Sequence, residues 1–461
     1  MQVVMIGAGY VGLTTGACLA EIGHSVTCVD VDAARIDALN RGEMPIYERG
    51  LDELIARNRT AGRLHFSKRG ALAAAEADAV FLAVGTPARV DGDADVSYIE
   101  AAARNIAPVL KPNAVVVVKS TVAVGTCRRL REIIADGRAG LDFSVASNPE
   151  FLREGSAIQD FLYPDRIVIG ADDRRASARL EDLYRPLAER GVPIILTGTA
   201  NAELVKQAAN AFLALKIGFI NDVADLCEKV GGEIEAVARG IGLDKRIGKD
   251  FLSPGPGFGG SCFPKDTRAF AAAGRKYQAP QSLIETLILK NESRKIALAR
   301  RVLSELGDRP QGASITILGL AFKANTDDVR EAPALTMIPI LQDAGVTVRA
   351  HDPQAMVAAR LRLQNVSFFE CPYSASRGAD VVLILTEWDQ YRSLDLREMS
   401  ALMKGKTLVD YRNLFTPGDV TRHGLRYVCL GRPASKLPIG ASIVARGGKK
   451  RKLALGAPSR L

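Results

Sequence analysis

The chain has 461 residues, 47% hydrophobic and 25% charged, the balance of an ordinary globular protein and too long for a single core. Its apolar runs, such as Val115–Val118 and Val381–Leu385, are only strand-length, so no membrane span is expected. The formal charge of +9 argues little for nucleic acid, because six cations from Arg446 onward, unopposed by any acid, account for all but +3.

Val3–Ile6 is a short apolar strand. It runs into Gly7-Ala-Gly9-Tyr10-Val11-Gly12, an amphipathic stretch to about Ile22, and a second strand, Ser25–Asp30, ending on a carboxylate. Strand, GxGxxG turn, helix, strand and terminal acid together form a dinucleotide-binding signature. The glycines allow close approach of a pyrophosphate, which the helix N-terminus attracts. Asp30 is placed to accept from a ribose diol and to repel a 2′-phosphate, so the expected cofactor is NAD rather than NADP. No basic leader or cleavage site precedes the strand, and a cytoplasmic location is expected.

Strands near Ala79–Val84, Ala114–Val118, Phe143–Ala146 and Ile167–Ile169 alternate with Ala-rich helical segments. They predict a doubly wound parallel sheet with its ligands at the strand C-termini. Two exit loops there carry Thr86 and Thr121, although Ser120 and Thr121 read more simply as caps for a helix beginning near Val124. Asp91-Gly-Asp93-Ala-Asp95 has a calcium-loop look, but Val96 and Ala102 stand where glycine and glutamate are required, so no metal is expected. In the loop 147–155, Glu150 and Glu154 form either a solvated edge or a general base in a cleft. Asn201–Val230 is helical, with Lys206 and Asn210 on one face, either snorkelling or aimed into a site.

The stretch Gly255–Asp266 reads Gly-Pro-Gly-Phe-Gly-Gly-Ser-Cys-Phe-Pro-Lys-Asp and cannot be regular structure before Cys262. A helix starting after Pro264 puts Lys265 and Asp266 in its first turn, where partial positive charge favours a thiolate at Cys262. The alternative is a buried, inert thiol beside a tight turn. The other six cysteines, at 18, 28, 127, 227, 371 and 429, show no CxxC pair or zinc spacing and read as core fillers. A second long helix runs from Gln281 to about Glu305. Ser314–Leu318 then opens another α/β pattern, with a helix near Ala334–Ala344 and strands at Val346–Ala350, Val381–Leu385 and Thr407–Val409. It lacks GxGxxG; Phe322, Lys323 and Arg412 instead suit a base and phosphates. Two α/β halves with helices between them predict a cleft where the strand ends face each other.

These motifs resemble the UDP-glucose 6-dehydrogenase family, within the nucleotide-sugar dehydrogenases that include GDP-mannose dehydrogenase. The resemblance rests on residues 7–12, Lys-Ser-Thr-Val at 119–122, Asn-Pro-Glu-Phe-Leu-Arg-Glu-Gly at 148–155, Phe-Gly-Gly-Ser-Cys-Phe-Pro-Lys-Asp at 258–266 and Gly-Leu-Ala-Phe-Lys at 319–323. It covers nearly everything to about residue 430. The expected architecture is two Rossmann-like doubly wound parallel-sheet domains joined by a central helical domain. The boundaries drawn are 1–199 for NAD, 200–311 for dimerisation and the cysteine loop, 312–440 for the UDP-sugar, and 441–461 for a basic, disordered tail.

The resemblance implies a four-electron oxidation of UDP-glucose to UDP-glucuronate, with two NAD in turn and a covalent thiohemiacetal and thioester on Cys262. It gives Lys206 and Asn210 to the oxyanions, Asp266 and a water held by Thr121 to the alcohol proton, and Glu154, assisted by Glu150, to thioester hydrolysis. For the cofactor it implies Gly7, Gly9, Tyr10, Val11, Gly12, Asp30, Arg35, Thr86, Thr121, Glu154, Lys265 and Arg330. Around the substrate it places Phe151, Leu152, Glu154, Lys206, Asn210, Phe251, Leu252, Ser253, Phe258 and Gly259, with Phe322, Lys323 and Arg412 at the far side. Arg246 is expected to reach a neighbouring subunit's diphosphate, which makes a homodimer the minimum unit. The competing readings are another nucleotide sugar as substrate, a two-electron hydroxyacid dehydrogenase with an idle cysteine, and a nucleotide-binding module with a basic tail.

Overall fold

A computed structural model describes residues 1–307 and 310–433. The tail expected at 441–461 lies outside the described residues. The first sheet is built from β1 (Gln2–Ile6), β2 (Ser25–Val29), β3 (Leu64–Ser67), β4 (Ala79–Leu82), β5 (Val115–Val118), β6 (Ser144–Ser147), β7 (Ile167–Ala171) and β8 (Ile194–Thr197). Their spatial order is β3-β2-β1-β4-β5-β6-β7-β8. Central strands such as β5 are buried along their whole length, which is why they read as unbroken valine rather than as alternation.

The doubly wound parallel sheet expected here is present, with one reversed pair. β7 pairs antiparallel with β6, and β8 runs parallel to β7. Residues 148–166 between β6 and β7 stay at the strand-exit edge and carry only the short helix Ala157–Leu162. The chain therefore re-enters the sheet from the edge it left, and re-entry there is antiparallel.

The second sheet comprises β9 (Ser314–Leu318), β10 (Thr347–His351), β11 (Val366–Phe368), β12 (Val381–Ile384), β13 (Thr407–Asp410) and β14 (Arg426–Cys429). Its order, β11-β10-β9-β12-β13-β14, repeats the winding of the first six strands, and every pairing is parallel.

Between the sheets runs the 32-residue helix Thr199–Val230, with Phe263–Lys276 and Ser282–Ser304 packed against it. The far sheet is locked to this helix at its C-terminal strand. Glu228 accepts from Gly431 N–H at 2.9 Å and pairs with Arg301 at 2.9 Å. Both sheets thus pack on one central helix.

Candidate active site

The glycine turn has the shape a dinucleotide needs. A Cβ at Gly12 would collide with the carbonyl of Gly7, so only glycine lets the helix Tyr10–Glu21 start this close to the strand. A Cβ at Gly9 would meet nothing within 4 Å, so the turn is open on its outer side. Asp30, directly after β2, accepts from Ala8 N–H at 2.8 Å and Asp32 N–H at 2.9 Å, and pairs with Arg35 at 3.1 Å. The structure therefore brings Gly7–Gly12, Asp30 and Arg35 to one place.

The capping reading of Ser120 and Thr121 fails. The helix they were to cap spans Thr126–Gly137, and Gly125 precedes it with no side-chain cap of its own. Glu203 reaches over from the long helix to accept from Gly125 N–H at 2.6 Å and Cys127 N–H at 2.8 Å. Ser120 instead donates to Val84 O at 2.6 Å, and Thr86 donates to Thr121 O at 2.8 Å. The two strand-exit loops are stitched to each other, which sequence spacing could not reveal.

Cys262 stands immediately before the helix Phe263–Lys276, with Pro264 in the first turn. Gly260 lies against the Phe322 ring, which a Cβ would approach to 2.7 Å, so the cysteine loop is pressed onto the second α/β unit. On the other side are Lys206 and Glu150, both buried and paired at 3.0 Å. Burial works against the Lys206 charge, yet Glu150, Cys262 and Asp266 together hold its ammonium above the ordinary lysine range. Burial likewise opposes the Glu150 charge, but Lys206 and the Leu152 N–H hold that carboxyl low. Asn210 donates to the fully buried Asp266 at 2.6 Å, and Lys265 pairs with Asp266 at 2.6 Å.

A depressed thiol at Cys262 is not what the site gives. Burial pushes it up to about 11, Glu150 adds to the rise, and Lys206 only partly opposes it. Lost solvent and a nearby carboxylate both disfavour the thiolate.

Glu154 accepts from Ser261 at 2.8 Å and Thr326 at 2.9 Å, and lies 3.8 Å from Arg330. Burial first, then Asp328, raises its carboxyl above the usual range, as a neutral-pH base requires. Its loop is anchored by Glu48, which accepts from Gly155 N–H at 2.6 Å, from Ala157 N–H at 2.9 Å and from the Tyr10 hydroxyl. Glu48, Ser261 and Thr326 were missed in the sequence because each is an ordinary polar residue until folding sets it beside Glu154. Lys119 was passed over too. It donates to Asn148 at 3.0 Å, and burial lowers its ammonium to about 7.

Phe151 lies beneath Arg166 (3.6 Å) and near Lys206 (5.4 Å). Phe251 and Phe258 both pack on Phe263, at 5.9 and 6.2 Å. Leu152 is half-buried, Leu252 is buried and Ser253 is exposed. Gly259 lies against the Glu331 carbonyl. Lys323, whose ammonium burial lowers, stands 5.8 Å over Phe322. Arg412 is committed within the chain, to Leu385 O at 2.7 Å, Phe322 O at 2.9 Å and Glu387 at 3.1 Å. Arg330 pairs with Asp328 at 2.8 Å. Arg246 is 88% exposed and pairs with Asp244 at 2.6 Å, so within one chain it is not part of this cluster.

Comparison with known proteins agrees along the whole assembly. Residues 1–188 match the NAD binding domain of the UDP-glucose/GDP-mannose dehydrogenase family, 200–293 its central domain and 316–417 its UDP binding domain. A UDP-glucose 6-dehydrogenase of Rhizobium meliloti is 50% identical over 436 residues, covering 94% of this chain and all of that protein. One from Pseudomonas aeruginosa is 44% identical, covering 94% of this chain and 98% of that protein. The structure of a UDP-glucose dehydrogenase from Pyrobaculum islandicum superposes with a TM-score of 0.85 at 41% identity, covering 90% of this chain and 95% of that one. With all three domains matched in order along the chain, it belongs to the UDP-glucose/GDP-mannose dehydrogenase family.

Proposed function

We propose that the chain oxidises UDP-glucose to UDP-glucuronate, with NAD as acceptor and Cys262 as a covalent nucleophile. The observation that carries this reading is the convergence on one thiol of a buried lysine–carboxylate pair and a raised carboxyl. A two-electron dehydrogenase needs no such constellation. NAD fits the open Gly9 side of the turn, where Gly7–Gly12, Asp30, Arg35 and Thr86 would hold it, and when bound it supplies the hydride acceptor. Asp266, braced by Asn210 and Lys265, would take the alcohol proton through a water near Thr121. Lys206 would stabilise the oxyanion formed when sulfur adds to the aldehyde carbon. Covalent capture splits a difficult oxidation in two and keeps the aldehyde in place. Glu154 would then activate water against the thioester, with Glu150 holding Lys206 ready.

The far-side pocket of Phe322, Lys323 and Arg412 would take the uridine and phosphates, with Phe151, Leu152, Phe251, Leu252, Ser253, Phe258 and Gly259 around the sugar. We assign 1–199 to cofactor, 200–311 to the cysteine loop and dimerisation, and 312–440 to the nucleotide sugar. Phe212, Phe219, Leu226 and Val230 on the long helix and Leu283 and Leu289 on its neighbour are exposed, which supports a homodimer along these helices. Arg246 would then face the second subunit. No helix among the described residues is long and apolar enough to cross a membrane, and a cytoplasmic enzyme is the reading adopted.

The test is product stoichiometry against a panel of nucleotide sugars. Two NADH should form per UDP-glucose, with UDP-glucuronate as product, and Cys262→Ala should form no uronate. One NADH per substrate would select the hydroxyacid-type reading, and preference for GDP-mannose or a UDP-N-acetyl sugar would change the substrate.

Cofactor choice has its own check. Asp30 already satisfies Ala8 N–H and Arg35, so a 2′-phosphate would displace both and meet a carboxylate. Asp30→Ala should narrow the NAD over NADP preference by about tenfold or more, the scale of about 1.4 kcal/mol of lost repulsion. Equal use of both cofactors by the unaltered enzyme would overturn the assignment.

A further inference from the structure

Ser261 has no role in the mechanism above, yet its hydroxyl lies between the two groups whose protonation matters most. Its Oγ donates to Glu154 Oε1 at 2.8 Å and stands 3.5 Å from Cys262 Sγ. The other oxygen of Glu154 is held by Thr326 at 2.9 Å, so Oε1 stays turned toward the serine. Resting on the reading of Cys262 as nucleophile, we infer that Ser261 relays the thiol proton to Glu154 and returns it at the end of the cycle.

In the forward direction the Sγ–H bond breaks as Oγ takes that proton, while the Ser261 Oγ–H bond breaks and Oε1–H forms. The electron pair left on sulfur attacks the aldehyde carbon. No electron changes hands and no further reactant is needed. Glu154 then loses its proton to solvent and, as carboxylate, takes one from the attacking water. When the C–S bond of the thioester breaks, that proton passes back through Ser261 to sulfur. One base serves both ends of the cycle.

The alternatives nearby are already committed. The other charged or titratable groups facing the pair are Lys206 and Glu150, Lys265 and Asp266, Arg330 and Asp328, and, on the Glu154 side, Lys323 and the Tyr10 hydroxyl. Glu150 is paired with Lys206, and Asp266 is held by Asn210 and Lys265. A thiol pushed to about 11 is almost wholly protonated at neutral pH, so a base must act before it attacks.

The test needs neither cofactor nor turnover. Iodoacetamide modification of Cys262 in the full chain is followed by peptide mass spectrometry from about pH 7 to about pH 10. At neutral pH, Ser261→Ala and Glu154→Gln should each slow modification by about 10²-fold, the lower reach of a general base. The double variant should be no slower than either single one, since both cut the same path. All rates should converge on the wild type as alkali ionises the thiol directly, and Ser261→Thr should keep most of the neutral-pH rate. A wild-type rate in Ser261→Ala, a deficit equal at every pH, or additive losses in the double variant would overturn the relay. If Ser261→Ala does not fold, a Glu154→Gln deficit that alkali does not repair overturns it, and one that alkali repairs supports it. Should Cys262→Ala still make uronate, the nucleophile reading falls instead.

Discussion

Glu154→Gln is expected to stall on its own thioester. The amide keeps the shape of the side chain and one acceptor for Ser261 or Thr326, so the loop anchored by Glu48 should hold. What is lost is the base, and hydrolysis should slow by roughly 10²–10⁴-fold. Because the same carboxylate is inferred to take the thiol proton, the variant is best loaded with UDP-glucose and NAD at alkaline pH and then returned to neutrality. Intact-protein mass spectrometry after an acid quench should show a sugar-nucleotide adduct that vanishes in the Cys262→Ala double variant. No adduct despite lost turnover would place Glu154 at an earlier step. The unaltered enzyme should carry the same signature in its pH profile. Burial and Asp328 raise the Glu154 pKa, so turnover should fall, as pH drops, above the ordinary carboxylate range. Arg330 works against that rise, and Arg330→Gln should move the acid limb further upward.

Lys206→Ala should damage both activity and stability. It removes the charge meant for the oxyanion, a loss of about 10²–10³-fold in turnover by analogy with deleted oxyanion donors. It also strands Glu150, which is buried with Lys206 as its ion-pair partner, and breaking such a pair costs about 3–5 kcal/mol. The two effects separate in a second variant. Lys206→Met with Glu150→Leu removes both members of the pair together, so the melting temperature should recover while turnover stays low. Recovery of turnover as well would mean that Lys206 acts only as Glu150's counter-ion. A stable Lys206→Ala would mean that Lys119, 3.0 Å from Asn148 and in the same field, takes over the pairing.

The fold was legible wherever one short segment carries its own instruction. Gly7–Gly12 followed by a strand ending at Asp30 declares a nucleotide turn, because backbone clearance and a terminal carboxylate are local requirements. The apolar runs at β5 and β12 read as strands because a parallel strand is buried on both faces. The short strands β3, β8, β11 and β14 did not stand out, since segments of three or four residues carry little pattern, and β3, β8 and β11 are partly exposed as well. The reversal at β7 was equally hidden, being decided by where residues 148–166 are held rather than by the strand itself.

The site divides in the same way. The sequence by itself determined the dinucleotide turn, the glycine-framed cysteine and, through family motifs, the cast of Lys206, Asn210, Glu150, Glu154 and Asp266. Only the tertiary structure decided that Glu150 neutralises Lys206, that Asn210 spends its amide on Asp266, and that Ser261 joins Glu154 to the thiol. It also reversed the expectation for Cys262. A helix start is visible in sequence, whereas desolvation and a carboxylate brought from more than a hundred residues away are not. Charge acts through space and burial is a property of the whole packing, so protonation at this thiol was fixed only once the two sheets closed on the central helix.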